Sequence, residues 1–196
     1  MKERTSRIER KTAETEILLS LNLDGSGESA IATGIGFFDH MLTLLARHAL
    51  FDLHLEARGD VEVDAHHTVE DVGIVLGKAL LAAVGDKKGM VRYGFCLLPM
   101  DEALARVALD FSGRPDLEWR ADIPGPKCGA FDTCLGREFM RGLAVGAGLT
   151  LHVDLLAGSD PHHSLEAVFK GVGRALRMAV AIDPRERGIP SSKGVL

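Results

Sequence analysis

The series of structural elements that the hydrophobic pattern predicts occurs twice in this chain, and this repeat limits the possible folds more than any other feature. Alternating apolar residues predict strands, and apolar residues spaced by three and four predict helices. The first series is a strand over 17–23, a helix over 37–50, a strand over 52–57 and a long helix over 69–83. The second series is a strand over 103–111, a helix over 135–147, a strand over 149–156 and a long helix over 164–181.

Three local matches align the two series. They pair 23–24 with 109–110, 53–55 with 151–153, and 66–70 with 162–166, at offsets of 86, 98 and 96 residues. We predict a first half-repeat over 1–90, a second over 91–184 and a tail over 185–196. Halves of this size are marginally stable alone, so we expect them to pack as one structural unit. The alternative is two unrelated segments with similar element order.

Composition excludes several classes of protein. The 196 residues carry a net charge of −5 with one Trp and one Tyr, which does not suit a nucleic-acid binder. No apolar run reaches the roughly 18 residues of a membrane span, so we expect no membrane partner. The three cysteines lack metal-type spacing, and the charged N-terminal residues precede no apolar segment. Reduced thiols and a cytoplasmic location are therefore expected.

The pattern His-His-x-x-Glu occurs at matched places in the two halves. On a helix, His66 and Glu70 share a face, as do His162 and Glu166. Adjacent residues point about 100° apart, so His66 and His67 cannot easily bind the same ion. A crossed scheme with two ions follows, in which each half gives one ion a His/Glu pair and lends its second histidine to the other. Such ligands suit Mn, Fe, Zn or Ni.

The alternative interpretation of this pattern is purely structural. Asp64 or Asp160 would cap a helix, and the histidines would merely lie in its first turn.

Another histidine, His40, is a further candidate ligand at the start of a predicted helix. Its counterpart in the second half, counted back fourteen residues from His152 as His40 is from His54, is Glu138. Both side chains are competent ligands. His54 and His152 lie between apolar residues in strands, which favours a structural role, and His48 is either solvated or catalytic.

Basic groups that could bind an anion are scattered along the chain: Arg92, Arg114, Lys170, and Ser191, Ser192 and Lys193 within the tail segment 188–194. A solvated tail is the alternative there. Three lysines are expected on the exposed face and end of a helix: Lys78, Lys87 and Lys88. The carboxylates free for proton transfer include Glu14, Glu16, Asp101 and Glu102, and nothing local chooses among them.

Five segments together carry a resemblance to a known family: GIGFFDHML at 34–42, DAHHTVED at 64–71, DEAL at 101–104, HHSLEAVFK at 162–170 and GIPSSKG at 188–194. In this order, over 7–194, the chain resembles the imidazoleglycerol-phosphate dehydratase family. The resemblance implies an α+β fold of the ribosomal protein S5 domain 2-like class, an internally duplicated unit in which each half is a four-stranded sheet backed by two helices. It also implies a homo-oligomer of 24 subunits built from trimers, with two manganese ions per active site at subunit interfaces.

Carried over by position, the resemblance assigns two metal-ligand sets. One ion would take His66, Glu70, Glu138 and His163, and the other His40, His67, His162 and Glu166. Many family members have histidine where this chain has Glu138. The substrate-binding residues would be Glu14, His40, His48, His66, Glu70, Arg92, Arg114, His162, Lys170, Ser192, Lys193 and Gly194.

The reaction that the resemblance implies is the dehydration of D-erythro-1-(imidazol-4-yl)glycerol 3-phosphate to 3-(imidazol-4-yl)-2-oxopropyl phosphate. The C–H bond that breaks is not acidic, and ions flanking the imidazole would stabilise its anionic form. Glu14 would be the catalytic base, and the basic groups would bind the phosphate. Two alternatives remain open: a dinuclear metal-dependent phosphohydrolase and a non-enzymatic metal-storing or metal-assembled shell protein.

Overall fold

Two four-stranded sheets and four long helices make up the computed structural model, which describes residues 3–196. Met1 and Lys2, at the start of the predicted first half-repeat, lie outside the described residues. The first half contains β1 (Thr5–Lys11), β2 (Thr15–Asn22), β3 (Ser29–Ala32), α1 (Gly36–Ala49), β4 (Asp52–Gly59) and α2 (His66–Val84). The second contains β5 (Tyr93–Met100), β6 (Ala103–Asp110), β7 (Asp116–Arg120), β8 (Lys127–Cys128), β9 (Phe131–Asp132), α3 (Leu135–Ala147), β10 (Thr150–Ala157) and α4 (Pro161–Ala179).

The two sheets have the same topology. Their strand orders are β1-β2-β4-β3 and β5-β6-β10-β7. Neighbouring strands are antiparallel except in the last pair of each sheet, where β3 and β7 run parallel to their partners. The α+β class and the internal duplication are therefore confirmed. The small β8-β9 hairpin has no counterpart among the described residues of the first half.

Strand register corrects one of the predicted offsets. Leu53 pairs with Leu21, and its counterpart Leu151 pairs with Leu109. Leu21 and Leu109 are therefore equivalent, and the offset over the first strands is 88 residues rather than the predicted 86. A shift of two residues leaves every side chain on the same face of its strand, so the apolar pattern could not reveal it.

Each helix packs against a helix of the other half, α2 against α3 and α1 against α4. On their other side, α2 covers β1 and β2 while α4 covers β5 and β6, so the helices lie between the two sheets. The first pair is in close contact: a Cβ atom at Gly73 would lie 2.5 Å from the Phe139 carbonyl oxygen, and one at Gly142 would lie 2.6 Å from that of Glu70. Buried apolar residues of both halves form a single core.

The tail after α4 lies against the loop that follows α2. The N–H of Gly89 donates to the Gly188 carbonyl at 2.9 Å, and Arg92 donates to the Pro190 carbonyl at 2.8 Å. The predicted position of Lys87 on an exposed helix end is wrong, because α2 ends at Val84 and Lys87 is buried. Burial and then the charge of Arg92 lower the pKa of Lys87. Within residues 3–196, none of the helices has the length and apolar character that a membrane crossing requires.

Candidate metal centre

One histidine of α1 and a His/Glu pair of α4 meet at the N-terminal ends of these two helices. The Nε2 atom of His162 lies 3.2 Å from Glu166 Oε2, and Nε2 of His40 lies 3.9 Å from the same oxygen. Within residues 3–196 this is the only group of three or more His, Cys, Asp or Glu residues whose ligand atoms all lie within 4.8 Å of one another. Three of the four side chains of one predicted ligand set are thus together in a single chain.

Capping of α4 fixes the direction of this cluster. Asp160 Oδ1 accepts hydrogen bonds from the backbone N–H groups of His162 and His163, at 2.7 and 3.1 Å. In the first half, Asp64 Oδ1 accepts from the N–H of His66 at 2.7 Å. The structural interpretation is therefore correct for Asp160, which is the N-cap of α4, whereas Asp64 lies one residue before the cap position of α2, and α2 has no side-chain cap. It does not compete with metal binding, because capping uses backbone groups and leaves the imidazole rings free.

The carboxylate of Glu166 has two different partners. Oε2 faces the two histidines, while Oε1 forms an ion pair with the Nζ atom of Lys170. Only 8% of the Glu166 side chain is exposed. Burial alone would raise the pKa of this carboxyl, but the hydrogen bond and charge of Lys170 outweigh it and lower the pKa. Glu166 is therefore held as an anion that can act as a ligand.

The second predicted ligand set is less complete within one chain. Nε2 of His66 lies 3.7 Å from Glu70 Oε2, as expected for residues four apart on a helix. Glu138, one turn before Gly142 on α3, lies at the level of this pair because Gly142 packs on the backbone of Glu70. Its carboxylate is 3.6 Å from Nη1 of Arg141. The assignment of Glu138 as a ligand remains a prediction.

The second histidine of each pair points to neighbouring carboxylates instead of to a cluster. His67 Nδ1 contacts both carboxylate oxygens of Asp60, at 3.2 and 3.0 Å, and His163 Nδ1 contacts Glu102 Oε2 at 2.8 Å. These hydrogen bonds raise the pKa of both histidines. The bond from His163, followed by those from backbone N–H groups, lowers the pKa of Glu102 to about 2.

Two carboxylates face the outer nitrogens of these rings. Glu14 Oε1 lies 3.9 Å from His67 Nε2, and Asp101 Oδ2 lies 3.7 Å from His163 Nε2. Glu14, the predicted base, is in the turn between β1 and β2, and half of its side chain is exposed. A catalytic role for Glu14 stays a prediction.

The predicted phosphate-binding residues are divided between the two ends of the helices. Lys170 is beside Glu166, whereas Arg92 and the tail lie past the C-terminal end of α4. The N–H of Arg92 donates to the Ala179 carbonyl, thirteen residues beyond Glu166, which is about 20 Å along the helix. Within one chain, these residues cannot contact one small substrate together with the cluster.

Arg92 already has strong partners. Its guanidinium binds both oxygens of Asp110, at 2.6 and 2.9 Å, besides the Pro190 carbonyl.

The other predicted phosphate-binding residues near the tail are all exposed: Arg114, Ser192, Lys193 and Gly194. The tail end approaches Arg114, since a Cβ atom at Gly113 would lie 3.4 Å from the carbonyl carbon of Leu196. Phosphate binding by this group remains a prediction.

The remaining histidines lie outside the cluster. Burial, followed by the charges of Lys170 and Arg174, lowers the pKa of His48 on α1. His54 is exposed in the middle of β4, and His152 Nδ1 is 3.5 Å from Nη2 of Arg120.

Asp60 is the site residue that sequence reasoning missed. Its one signal was its position in the turn after a predicted strand.

The fold and the site together define a class: an α+β protein of duplicated design with clustered His and Glu side chains at its helix N-termini. The family model described as imidazoleglycerol-phosphate dehydratase matches residues 33–176. An enzyme of this name from Roseobacter denitrificans is 59% identical over 194 residues, which is 98% of this chain and 100% of that one. One from Azorhizobium caulinodans is also 59% identical, over 98% of each chain.

Solved structures agree with the fold. The crystal structure of imidazoleglycerol-phosphate dehydratase from Staphylococcus aureus matches with a TM-score of 0.83 and 44% identity, over 91% of this chain and 99% of that one. The enzyme from Pyrococcus furiosus in complex with (S)-C348 matches with a TM-score of 0.82 and 36% identity, over 96% and 100%. The chain belongs to the imidazoleglycerol-phosphate dehydratase family, and it is an enzyme of the hydro-lyase class.

Proposed function

We propose that this enzyme dehydrates D-erythro-1-(imidazol-4-yl)glycerol 3-phosphate to 3-(imidazol-4-yl)-2-oxopropyl phosphate in histidine biosynthesis, with two Mn²⁺ ions per active site. The observation that carries the proposal is the identity of 59% over almost the whole of both chains with relatives that have this enzyme name. The cytoplasmic location belongs to the same proposal. It rests on the cysteine usage, with Cys96, Cys128 and Cys134 all as free thiols.

The donor set fits divalent manganese. Imidazole nitrogen and carboxylate oxygen converge from His40, His162 and Glu166 without a thiolate, a combination that suits Mn²⁺ as well as Fe²⁺ or Zn²⁺. These three side chains would hold one ion, and His66, Glu70 and Glu138 would contribute to the other. When bound, the ions supply Lewis-acid stabilisation of the negative charge that develops on the substrate's imidazole.

Protein groups perform the proton transfer and the positioning. Glu14 removes the proton from the carbon next to the one that loses its hydroxyl group, and the resulting enol tautomerises to the ketone product. The exposed carboxylate of Glu14, close to His67, can reach a substrate bound at the surface. Lys170 keeps Glu166 ionised and presents an ammonium group to the substrate phosphate.

The active site lies between subunits of a homo-oligomer, which we propose to contain 24 chains built from trimers. Its support is the incompleteness of the site in one chain. His67 and His163 point away from the cluster, and Arg92 with the tail is about 20 Å from it. An exposed apolar row on the edge strand β5 suits a contact between chains, since Tyr93, Phe95 and Leu97 are 53, 68 and 59% exposed.

Product analysis tests this function against its alternatives. Incubation of the manganese-loaded protein with imidazoleglycerol phosphate is expected to give the ketone. Release of inorganic phosphate without a ketone would indicate a phosphohydrolase instead. Metal binding and assembly without turnover would indicate a storage or shell protein. In that last case Glu14→Gln would change nothing, whereas we expect it to abolish ketone formation while metal binding persists.

A second variant tests the crossed ligand scheme. His67→Ala is expected to reduce metal loading and to prevent assembly beyond trimers, because His67 is assigned to an ion at the contact between subunits. Size-exclusion chromatography and metal analysis measure both effects. An unchanged elution profile with two ions still bound per chain would refute the scheme.

A further inference from the structure

Two carboxylates hold the histidines that no cluster of the described chain uses. Asp60 contacts Nδ1 of His67 at 3.0 Å, and Glu102 contacts Nδ1 of His163 at 2.8 Å. The carboxylates beyond the Nε2 atoms, at 3.9 and 3.7 Å, are outside hydrogen-bond range. Each ring is thus fixed at one nitrogen and open at the other.

These two carboxylates are not equivalent in the internal repeat. Under the 88-residue offset of the first strands, Glu102 corresponds to Glu14 and not to Asp60. Past the β-bulge in β10, the offset from β4 is 99 residues, so Asp60 corresponds to Ser159. Duplication of one ancestral contact therefore does not account for both. The two halves make the same contact with carboxylates from different segments, the end of β4 in one and the β5-β6 turn in the other.

The side chain of Glu102 is itself fixed. Its Oε1 atom accepts hydrogen bonds from the backbone N–H groups of Ser159 and Asp160, at 3.1 and 2.8 Å, while Oε2 contacts His163. In the first half, both backbone groups of Asp60 form hydrogen bonds. The N–H of Asp60 donates to the Glu14 carbonyl, and the Asp60 carbonyl accepts from the N–H of Val63. The Glu102 carboxylate is therefore held at both oxygens, whereas Asp60 is held through its backbone.

We propose that Asp60 and Glu102 are positioning residues that fix the tautomer and direction of His67 and His163, so that each presents Nε2 to a metal ion completed by another subunit. This inference rests on the proposed metal-dependent function. A carboxylate that accepts a hydrogen bond from Nδ1–H keeps the proton on Nδ1 and the lone pair on Nε2, which is the arrangement that a metal ion requires. Histidines oriented before the subunits meet lose less side-chain entropy when the site forms.

The test is a Mn²⁺ titration of Asp60→Asn and Glu102→Gln, which keep side-chain size and remove the charge. Free Mn²⁺ is measured by electron paramagnetic resonance, alongside kcat at saturating Mn²⁺ and the oligomer size. Each variant is expected to raise the dissociation constant of one ion by about 10- to 100-fold. Excess Mn²⁺ is expected to restore most of kcat, which it would not do for a misfolded enzyme. Glu118→Gln, a change of an exposed carboxylate on β7, is the matched control and should bind as the wild type does.

Two results would overturn the proposal. One is wild-type Mn²⁺ affinity in both folded variants, and the other is a loss of kcat that excess Mn²⁺ does not reverse. If Asp60→Asn does not fold, the Mn²⁺ titration of Glu102→Gln still tests the proposal, through the contact of Glu102 with His163. Failure of the wild type to bind Mn²⁺ at all is a separate result, which refutes the metal dependence of the proposed function.

Discussion

At the scale of residues, the geometry of the candidate site depends on a few side chains that each contact two different partners. Glu166 divides its oxygens between histidines and Lys170, and His67 and His163 divide their nitrogens between a carboxylate and an open side. His40 is simpler, because its Nε2 atom faces Glu166 and its side chain is nearly half exposed. Loss of His40 therefore removes a ligand without leaving a buried charge unpaired.

The variant His40→Ala is expected to bind one Mn²⁺ per chain instead of two. We expect kcat/KM to fall by at least about 100-fold, since a bound ion supplies several kcal/mol of charge stabilisation. Metal analysis and steady-state kinetics measure the two effects. The matched control is His54→Ala on the exposed face of β4, which should retain both ions and full activity. Two bound ions in His40→Ala would remove His40 from the ligand set.

Some of these residues were predictable from the sequence and others were not. The repeated His-His-x-x-Glu spacing predicted which face each side chain takes, because helical geometry is local, and His40, His162 and Glu166 do come together. Asp60 was not predictable as a partner of His67, since that contact depends on how the turn after β4 folds back on α2. The distance between Arg92 and Lys170 was not predictable either, because both were assigned to phosphate binding from their residue type and not from their position in the fold.

Elements differ in how far their sequences reveal them. The predicted helices and central strands are present because they bury one apolar face, and α3 begins and ends where the period predicted. The hydrophobic pattern does not reveal the edge strand β1, because Ile8 is its one large apolar side chain. It does not reveal the exposed edge strand β5 either, because β5 carries apolar residues on both faces and its pattern does not alternate. Sheet pairing, a long-range interaction, stabilises these strands.

The contact between α2 and α3 permits a test at this scale. Gly142→Ala is expected to lower the thermal midpoint by roughly 5 °C, because the added Cβ meets the Glu70 carbonyl and backbone cannot move aside cheaply. Differential scanning fluorimetry measures the effect. Gly36→Ala in the first turn of α1, where a Cβ would have nothing within 4 Å, is the control and should be neutral. A neutral Gly142→Ala would contradict close packing of these helices.

The turn between β2 and β3 makes stability depend on pH. The Asp52 carboxylate accepts N–H bonds from Ser26, Gly27 and Glu28, and these bonds, with that of Ser26 largest, lower its pKa. A lowered pKa gives stability that is present above the unfolded value near 3.9 and is lost as the pH falls through the folded pKa.

Asp52→Asn should therefore destabilise the protein at pH 7, by about 1–3 kcal/mol, because bonds to a charged acceptor become neutral ones. The difference from the wild type should shrink as the pH falls below about 4, where the unfolded carboxyl takes up a proton, and should disappear only below the lowered folded pKa. Thermal midpoints between pH 7 and pH 3 measure this, with Asp116→Asn at the exposed start of β7 as the control. A difference independent of pH would contradict the role of the charge.

At the scale of the whole molecule, the helices give the chain two dissimilar ends. The histidine clusters lie at their N-terminal ends, and the tail crosses their C-terminal ends through the contact of Gly188 with Gly89 and that of Pro190 with Arg92. The halves form one core, so this separation is built into the fold. A substrate that contacts both groups of residues must lie between chains.

The most direct test of this account is complementation between two inactive variants. His40→Ala and His67→Ala chains are produced together, and activity and Mn²⁺ content of the mixed assembly are compared with each variant alone. If one ion takes His40 from one subunit and His67 from another, random mixing restores about a quarter of the sites, and the mixture gains a matching activity. Mixed assemblies no more active than either variant alone would contradict a site shared between subunits.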